Sequence, residues 1–346
     1  GPIERIADGP WLTAFADDPA TGFLAAKTNA LQHVTVYRRD ALGWTTNVVL
    51  ADGSTWAFER DPHGRLLALT EPGEAYRHQF AWTAGHRLES YRSPRGRIDT
   101  FEYDRDRRLT NHVLATGAQI ARRYNTRAQL VELRLPEGTH TFQYDDRGGH
   151  LVRALSADGQ QIDYTYDGAL LTQATWSGLA QGALTYQYND DLLVRRLSYG
   201  GQVFDVAYDD DGLLTRLGVL TLARHPQHGR PTALSAGDWR TEYEHDAFGL
   251  VDRVSVFHAD SLLHEVNVAR DAVGRVVDRI ETIEGAASQC SVVYDAVGRL
   301  VAVRRDGQTI EAYAYDAVGN RMGVTNLLRG LALTAADVDY DADHRL

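Results

Sequence analysis

The sequence predicts an all-β fold: continuous antiparallel β-hairpins of about 21 residues each, curling into a large curved or hollow wall. Three observations carry this expectation. A tyrosine–aspartate motif, best written as Y-D-A-V-G-R-L at Tyr294–Leu300, recurs along the chain. A second turn signal falls near the middle of each recurrence. Between the two turns, apolar and aromatic residues alternate with period two, the spacing of a strand and not of a helix.

With the tyrosine as position zero, three copies are well written, starting at Tyr208 (Y-D-D-D-G-L-L), Tyr294 and Tyr315 (Y-D-A-V-G-N). Weaker copies keep the glycine and start at Arg39, Arg60, His225, His245 and Arg270. Copies without it start at Trp82, Tyr103, Tyr124, Tyr144, Tyr166, Tyr188 and Tyr340. These fifteen starts lie 17 to 25 residues apart, and D-P-A-T-G at Asp18–Gly22 reads as an eroded sixteenth. The mid-unit turns include Asp52-Gly53, Pro72-Gly73, Glu137-Gly138, Asp158-Gly159, Gly200-Gly201, Glu284-Gly285 and Asp306-Gly307. Alternation between turns is clear in Trp56, Phe58 and Arg60, in Tyr76, His78, Phe80 and Trp82, and in Ile162, Tyr164 and Tyr166. Each unit therefore divides into two short strands and two turns. No linker composition interrupts the series, so residues 1–346 read as one domain, with 1–38 a lead-in and 39–346 the clear repeats.

The motif has a physical reading without catalysis. The tyrosine closes a strand. The Asp or Asn after it bonds a backbone N–H two residues on, an Asx-turn. Glycine four residues after the tyrosine adopts positive φ at no steric cost. A Leu or Val near position six restarts the next strand. The residues assigned this structural role are Asp61, Tyr103 with Asp104, Tyr144 with Asp145, Tyr166 with Asp167, Tyr208 with Asp209 and Gly212, Asp246 with Gly249, Asp271 with Gly274, Tyr294 with Asp295 and Gly298, and Tyr315 with Asp316 and Gly319.

Competing repeat architectures fit less well. A propeller blade needs four strands and a doubled period, and alternate units here do not differ. A parallel β-helix has no hairpin turns. A meander of about thirty strands at ~4.8 Å spacing would span roughly 140 Å, wide enough to enclose a hollow rather than a packed barrel.

Composition narrows the function classes. The 346 residues carry 43% hydrophobic residues, which predicts a sizeable core, and a net charge of −11 with Lys27 as the only lysine. An acidic chain with scattered arginines is a poor nucleic-acid or acidic-membrane binder. One cysteine, Cys290, excludes an intrachain disulfide and cysteine metal clusters. No run of 18 apolar residues and no signal-peptide pattern is present. The Gly1-Pro2 start reads as a cleavage scar and Y-D-A-D-H-R-L at Tyr340–Leu346 breaks off within the motif, so the sequence reads as a fragment of a longer protein.

Tyr-Asp units at this period resemble the YD repeats of Rhs-type proteins, which include bacterial polymorphic toxins, cocoon-forming Tc-toxin components and the teneurins. The resemblance covers residues 39–346, or 18–346 with the eroded copy, and D-A-V-G-R-[LV] written out verbatim makes it specific. It implies a spiral of hairpins forming a hollow shell that, in bacterial members, sequesters a C-terminal toxin for delivery. The self-cleaving D-P-x-G-L motif of such shells is missing: Asp-Pro occurs only at Asp18-Pro19 and Asp61-Pro62. Plug, protease and toxin are therefore not expected in this chain.

Sharper chemical readings fare worse than structural ones. Asp209-Asp210-Asp211-Gly212 lacks the D-x-D-x-D-G spacing of a calcium loop. His225 and His228 flank Pro226 and lack further zinc ligands. There is no G-x-S-x-G, and the single lysine rules out a phosphate-loop G-K-[ST]. Cys290 alternates with Val292 and Tyr294 and reads as a small core residue. The expectation is no enzyme, no cofactor and no metal. The partner expected is an enclosed cargo or toxin polypeptide from the same parent chain, with a secreted or delivered bacterial location implied by the resemblance. Adhesion or glycan binding through exposed aromatic rows is the alternative; cross-strand packing explains those rows more simply.

Overall fold

In a computed structural model the described residues are 5–8, 11–73, 76–341 and 343. They form thirty-two strands, from β1 (Arg5–Asp8) to β32 (Leu331–Leu333), and no helix. Consecutive strands pair antiparallel from β1 to β8 (Arg77–Trp82), from β10 (Ile98–Tyr103) to β23 (Pro231–Ala236) and from β25 (Val251–His258) to β32, as β25 does with β26 (Ser261–Arg270) and β26 with β27 (Val276–Ile283). Within each of these runs the ladder hydrogen bonds are local.

Two kinds of turn alternate, one on each rim of the sheet. The odd-to-even turns are the mid-unit turns. The even-to-odd turns are the tyrosine–aspartate corners. At the corners a β-bulge recurs just before position zero, for example between Glu102 and Tyr103, between Gln187 and Tyr188, and between Val293 and Tyr294. A bulge adds twist and bends the strand, so the repeat carries a bend at each such corner.

Asp18 opens a corner of the same kind: its carboxylate accepts from the Ala20 and Thr21 N–H groups and Gly22 has φ 70°. The start at His225 is corrected. β22 (Leu220–Arg224) ends one residue earlier, with its bulge before Arg224. The His225 N–H bonds Arg230 O and Gly229 N–H bonds His225 O, so His225 stands where aspartate stands elsewhere and Arg224 is position zero. One extra turn residue hides the register in the sequence. At Tyr144 the glycine is displaced rather than lost: Gly149, five residues on, has φ 73°. At Tyr166 the corner shrinks to the two-residue turn Gly168-Ala169, leaving Asp167 paired with Leu170 as a strand residue.

The sizeable core does not form. Among the described residues Ala68 and Pro72 are the only buried apolar side chains, and no large side chain is fully buried. Strands such as β4 (Val34–Arg39) alternate between exposed and half-buried. A hairpin series that pairs only edge to edge has no second layer to cover its faces, so its apolar side chains pack sideways on neighbouring strands and stay half-buried.

The chain resolves into two compact units. One contains Gly1–Ala81, Tyr91–Arg97 and Thr241–Leu346; the other contains Trp82–Ser90 and Ile98–Arg240. Within the first unit, segments far apart in sequence meet turn to turn. Arg299 Nη2 lies 3.5 Å from Asp52 Oδ2. Arg95 Nη1 lies 2.5 Å from Asp341 Oδ2, and Arg97 Nε lies 3.5 Å from Asp343 Oδ2. Asp52, Arg95 and Arg97 sit on mid-unit turns, while Arg299, Asp341 and Asp343 sit on corners. Mid-unit rim therefore docks on corner rim, at a sequence offset of 247 residues for Asp52 and Arg299 (299 − 52) and 246 for Arg95 and Asp341 (341 − 95).

Candidate functional site

The recurring element is the corner, seen in full at Tyr294–Arg299. Strand β28 (Ala286–Tyr294) ends at the tyrosine, and β29 (Leu300–Arg305) begins after the turn. The Asp295 N–H bonds Arg299 O at 2.9 Å, and the Gly298 N–H bonds Asp295 O at 3.1 Å. Asp295 Oδ1 accepts from the N–H of Val297 at 3.1 Å and of Arg299 at 2.8 Å. Gly298 has φ 93°, a region closed to most side chains. One carboxylate oxygen thus satisfies two turn amides that would otherwise face no partner.

The other carboxylate oxygen holds the arginine of D-A-V-G-R. Arg299 Nε lies 2.6 Å from Asp295 Oδ2. The same guanidinium reaches the following repeat, donating to Asp316 O at 2.9 Å and lying 5.2 Å above the Tyr315 ring. The Tyr315 hydroxyl in turn donates to Leu300 O at 2.8 Å. Two adjacent repeats are therefore fastened by a chain running aspartate, arginine, tyrosine, backbone carbonyl.

The pattern repeats with substitutions that preserve its chemistry. Arg108 pairs with Asp104 and covers Tyr124; Arg275 pairs with Asp271 and covers Tyr294. Arg65 pairs with Asp61 at 2.6 Å. In the Tyr144 corner His150 replaces the arginine, 3.1 Å from Asp145 and stacked on Tyr166. Asn320 bonds Asp316 at 2.8 Å. The hydroxyls of Tyr124, Tyr144, Tyr166, Tyr188, Tyr208 and Tyr294 reach the carbonyls of Leu109, Leu130, Leu151, Leu171, Val194 and Val276 in the preceding repeat. At three of the positions where arginine stands at zero, Arg39, Arg224 and Arg270, the guanidinium makes the same backward bond, Arg39 to Leu24 O. Arg224 donates to Leu214 O and Arg270 to Val251 O, and each also bonds the carbonyl of its own turn glycine. This explains why arginine alternates with tyrosine there: both place a donor at the end of a long flat side chain.

The remaining motif residues lie in the same geometry. Asp209 accepts from Asp211 and Leu213, Asp246 from Phe248 and Leu250, and Asp316 from Val318 and Asn320. Gly212, Gly249, Gly274 and Gly319 all have positive φ. Tyr103 closes β10 (Ile98–Tyr103) at the bulge before Asp104. Within each compact unit the motif residues lie on successive corners.

Electrostatics follow from this bonding. Burial would raise the Asp295 carboxyl, but the Arg299 guanidinium and the Arg299 and Val297 N–H groups outweigh it and hold it below an ordinary aspartate. Asp271 and Asp61 behave alike through Arg275 and Arg65. At Asp104 the Arg108 N–H is the main cause of the lowering. Such groups are fixed anions, poor proton carriers near neutral pH.

Other residues weighed from the sequence fall elsewhere. The His225 and His228 rings stack at 3.9 Å between centroids, on a turn. Cys290 is half-buried within β28. Among the described residues no three His, Cys, Asp or Glu side chains are grouped to hold a metal ion.

Residues 20–342 match the teneurin YD-shell family. Among solved structures, the chain is similar to the Tc holotoxin pore of Photorhabdus luminescens, with 12% identity and a TM-score of 0.70 over 91% of this chain and 21% of that one. It is also similar to a TcdB2–TccC3 crystal structure, with 14% identity and a TM-score of 0.68 over 92% of this chain and 22% of that one. A TcdB2–TccC3–Cdc42 crystal structure matches with 14% identity and a TM-score of 0.67 over 92% and 22% of the respective chains. The chain thus spans about a fifth of the length of these neighbours. The antiparallel hairpin repeats, their tyrosine–aspartate corners and the match over nearly the whole chain make this protein a member of the teneurin YD-shell family.

Proposed function

We propose that this chain is a segment of shell wall that sequesters a cargo or toxin polypeptide from the same parent chain for secretion or delivery, its hairpins acting as one YD-repeat domain. The observation that carries the reading is the near absence of a buried core among the described residues of a chain that is 43% hydrophobic. Stability comes instead from strand ladders and corner staples, which leaves both faces of the sheet available. A wall needs that economy; an enzyme needs a walled pocket with converging groups. Family membership supports the structural role.

The glycan reading gains less support. Corner tyrosines that would offer hydroxyls to a sugar already donate them to backbone carbonyls, as Tyr188 does to Leu171 O at 2.6 Å.

Protease protection tests the proposal. The complete coding sequence of the gene is expressed and digested under native conditions. We expect a fragment lying outside the repeats to survive intact and to become cleavable once the repeats are unfolded in urea. Digestion of all non-repeat sequence at the rate of a free unfolded chain would overturn the cargo role. Binding of the folded chain to a glycan array would instead favour adhesion.

A further inference from the structure

Where mid-unit turns dock on a corner in the first unit, the seam encloses a cavity of about 250 Å³. One wall is the end of the ladder formed by β2 (Trp11–Asp17), β3 (Leu24–Thr28) and β4. Lys27 pairs with Phe15 on one side and with Thr35 on the other. Alternation puts Thr13, two residues from Phe15, on the same face. The mid-unit turn from Asn29 to His33 closes this end, with the Asn29 N–H bonded to His33 O at 3.1 Å. Thr13, Lys27, Asn29, His33 and Thr35 all line the cavity. Facing them are Leu50 and Ala51 of the next mid-unit turn and Ala296 and Val297 of the docked corner. The cavity therefore exists only where repeats far apart in sequence meet.

The polar part of the lining is a set of donors. Lys27 is the only lysine of a chain whose net charge is −11. Among the described residues, neither its ammonium nor the His33 ring has an ion-pair or hydrogen-bond partner. The Thr13 and Thr35 hydroxyls are equally uncommitted there. Asn29 Oδ1 is occupied by the N–H groups of Leu31 and His33, each at 3.0 Å, which leaves its amide NH₂ to donate. No carboxylate lines the cavity. Asp52 and Arg299, the charged residues adjoining its walls in sequence, pair with each other at 3.5 Å.

We propose that this cavity binds a small phosphate-bearing anion, with Lys27 and His33 as its principal donors. A planar carboxylate is matched by the fork of a guanidinium, and the seam uses arginine for that purpose. An ammonium is a point charge with rotatable donors. Joined by an imidazole and two freely rotating hydroxyls, it suits the several acceptor oxygens of a tetrahedral oxyanion. The volume narrows the ligand further. It equals roughly eight waters at ~30 Å³ each, more than one bare ion fills. It falls short of the roughly 300–1,000 Å³ of drug-sized sites. A phosphate monoester with a short carbon stem fits, the stem lying against Leu50 and Val297. Because the walls come from both sides of the seam, a bound anion favours the docked arrangement over the parted one.

The single lysine makes the test direct. Reductive methylation with ¹³C-formaldehyde labels only Lys27 and the α-amine, and Lys27→Met identifies the Lys27 signal. The whole chain is titrated with glycerol phosphate and, separately, with inorganic phosphate. Each should shift the Lys27 signal to saturation, while chloride at equal ionic strength should not. The tighter of the two tells whether the ester or the free ion is the better ligand. In calorimetry Lys27→Met and His33→Gln should each weaken the binding about tenfold or more, the loss of one hydrogen bond to a charged group. Backbone exchange in 296–299 should slow at saturation. A Lys27 signal that follows chloride as closely as phosphate, or variants that keep the wild-type affinity, would overturn the proposal. Lys27 is exposed, so its replacement should leave the fold intact. Circular dichroism checks this, and Lys27→Gln replaces a variant that fails, with the same loss required.

Discussion

Arg299 Nε lies 2.6 Å from Asp295 Oδ2 within one corner, while the guanidinium covers Tyr315 of the next repeat. The aspartate therefore does more than shape its own turn; it aims an arginine at a neighbour. Because the pair is part of a network, its members should not act independently. Asp295→Ala should cost about 1 kcal/mol from the lost turn bonds. Arg299→Ala should also destabilise, and the double variant should cost less than the sum, with a coupling of about 0.5–3 kcal/mol in a urea-unfolding cycle. Strict additivity would show that the staple carries no energy.

Tyr294→Phe removes only a hydroxyl, but that hydroxyl bonds Val276 O at 3.0 Å in the preceding repeat. The loss should be roughly 0.5–1.5 kcal/mol. Tyr199, half-exposed on the mid-unit rim, serves as the control: its change to Phe should stay within about 0.5 kcal/mol. Urea midpoints of the two variants distinguish a stapling tyrosine from a merely surface one.

Four copies that lack the motif glycine place another residue in the same left-handed conformation: His86, Arg107, Ala128 and Leu192, with φ between 60° and 65°. Each carries steric strain that glycine would relieve, worth about 1–2 kcal/mol before glycine's greater unfolded-state freedom is subtracted. Ala128→Gly should therefore stabilise slightly, by under about 1 kcal/mol. The mirror change, Gly298→Ala, should destabilise. Opposite shifts in thermal midpoint are the expected readout, and a destabilised Ala128→Gly would refute the strain argument.

Acid should weaken the corners. Asp61, Asp104, Asp271 and Asp295 are all held below an ordinary aspartate in the fold. A depressed folded-state value means the unfolded chain binds protons first as pH drops. The stabilisation is fully present above the unfolded value of about 3.9 and is lost as pH falls through the folded values. Urea midpoints measured from neutral pH to pH near 3 should decline over this window. Asp295→Asn should flatten the decline.

The seam of the first unit should respond to salt more than the ladders do. Arg95 and Arg97 are partly exposed where they meet Asp341 and Asp343, so each pair contributes only about 0–1 kcal/mol and is screened by ions. Arg95→Glu should speed hydrogen exchange in 331–341. Exchange in β16 (Gln161–Asp167) should stay unchanged. A uniform acceleration along the chain would indicate general unfolding instead of a local seam.

The alternation of Trp56, Phe58 and Arg60 and the recurrence of Y-D-A-V-G determined the hairpin repeat, because period two and a glycine corner are local properties of the backbone. The role of Asp295 in its turn was legible for the same reason. The partner of Arg299 was only half legible: arginine stands at that position in several copies, yet nothing local says that it reaches Tyr315, a repeat away. The corner at Arg224 was misplaced because one inserted residue shifts the letters without changing the turn. The missing core was hidden too, since composition counts apolar residues and cannot say whether a second layer covers them. Only the tertiary structure brought Asp52 to Arg299 and Arg95 to Asp341, because contacts across about 246 residues depend on bends accumulated over many hairpins. Each bend is written in its own corner; their sum is not written in any one of them.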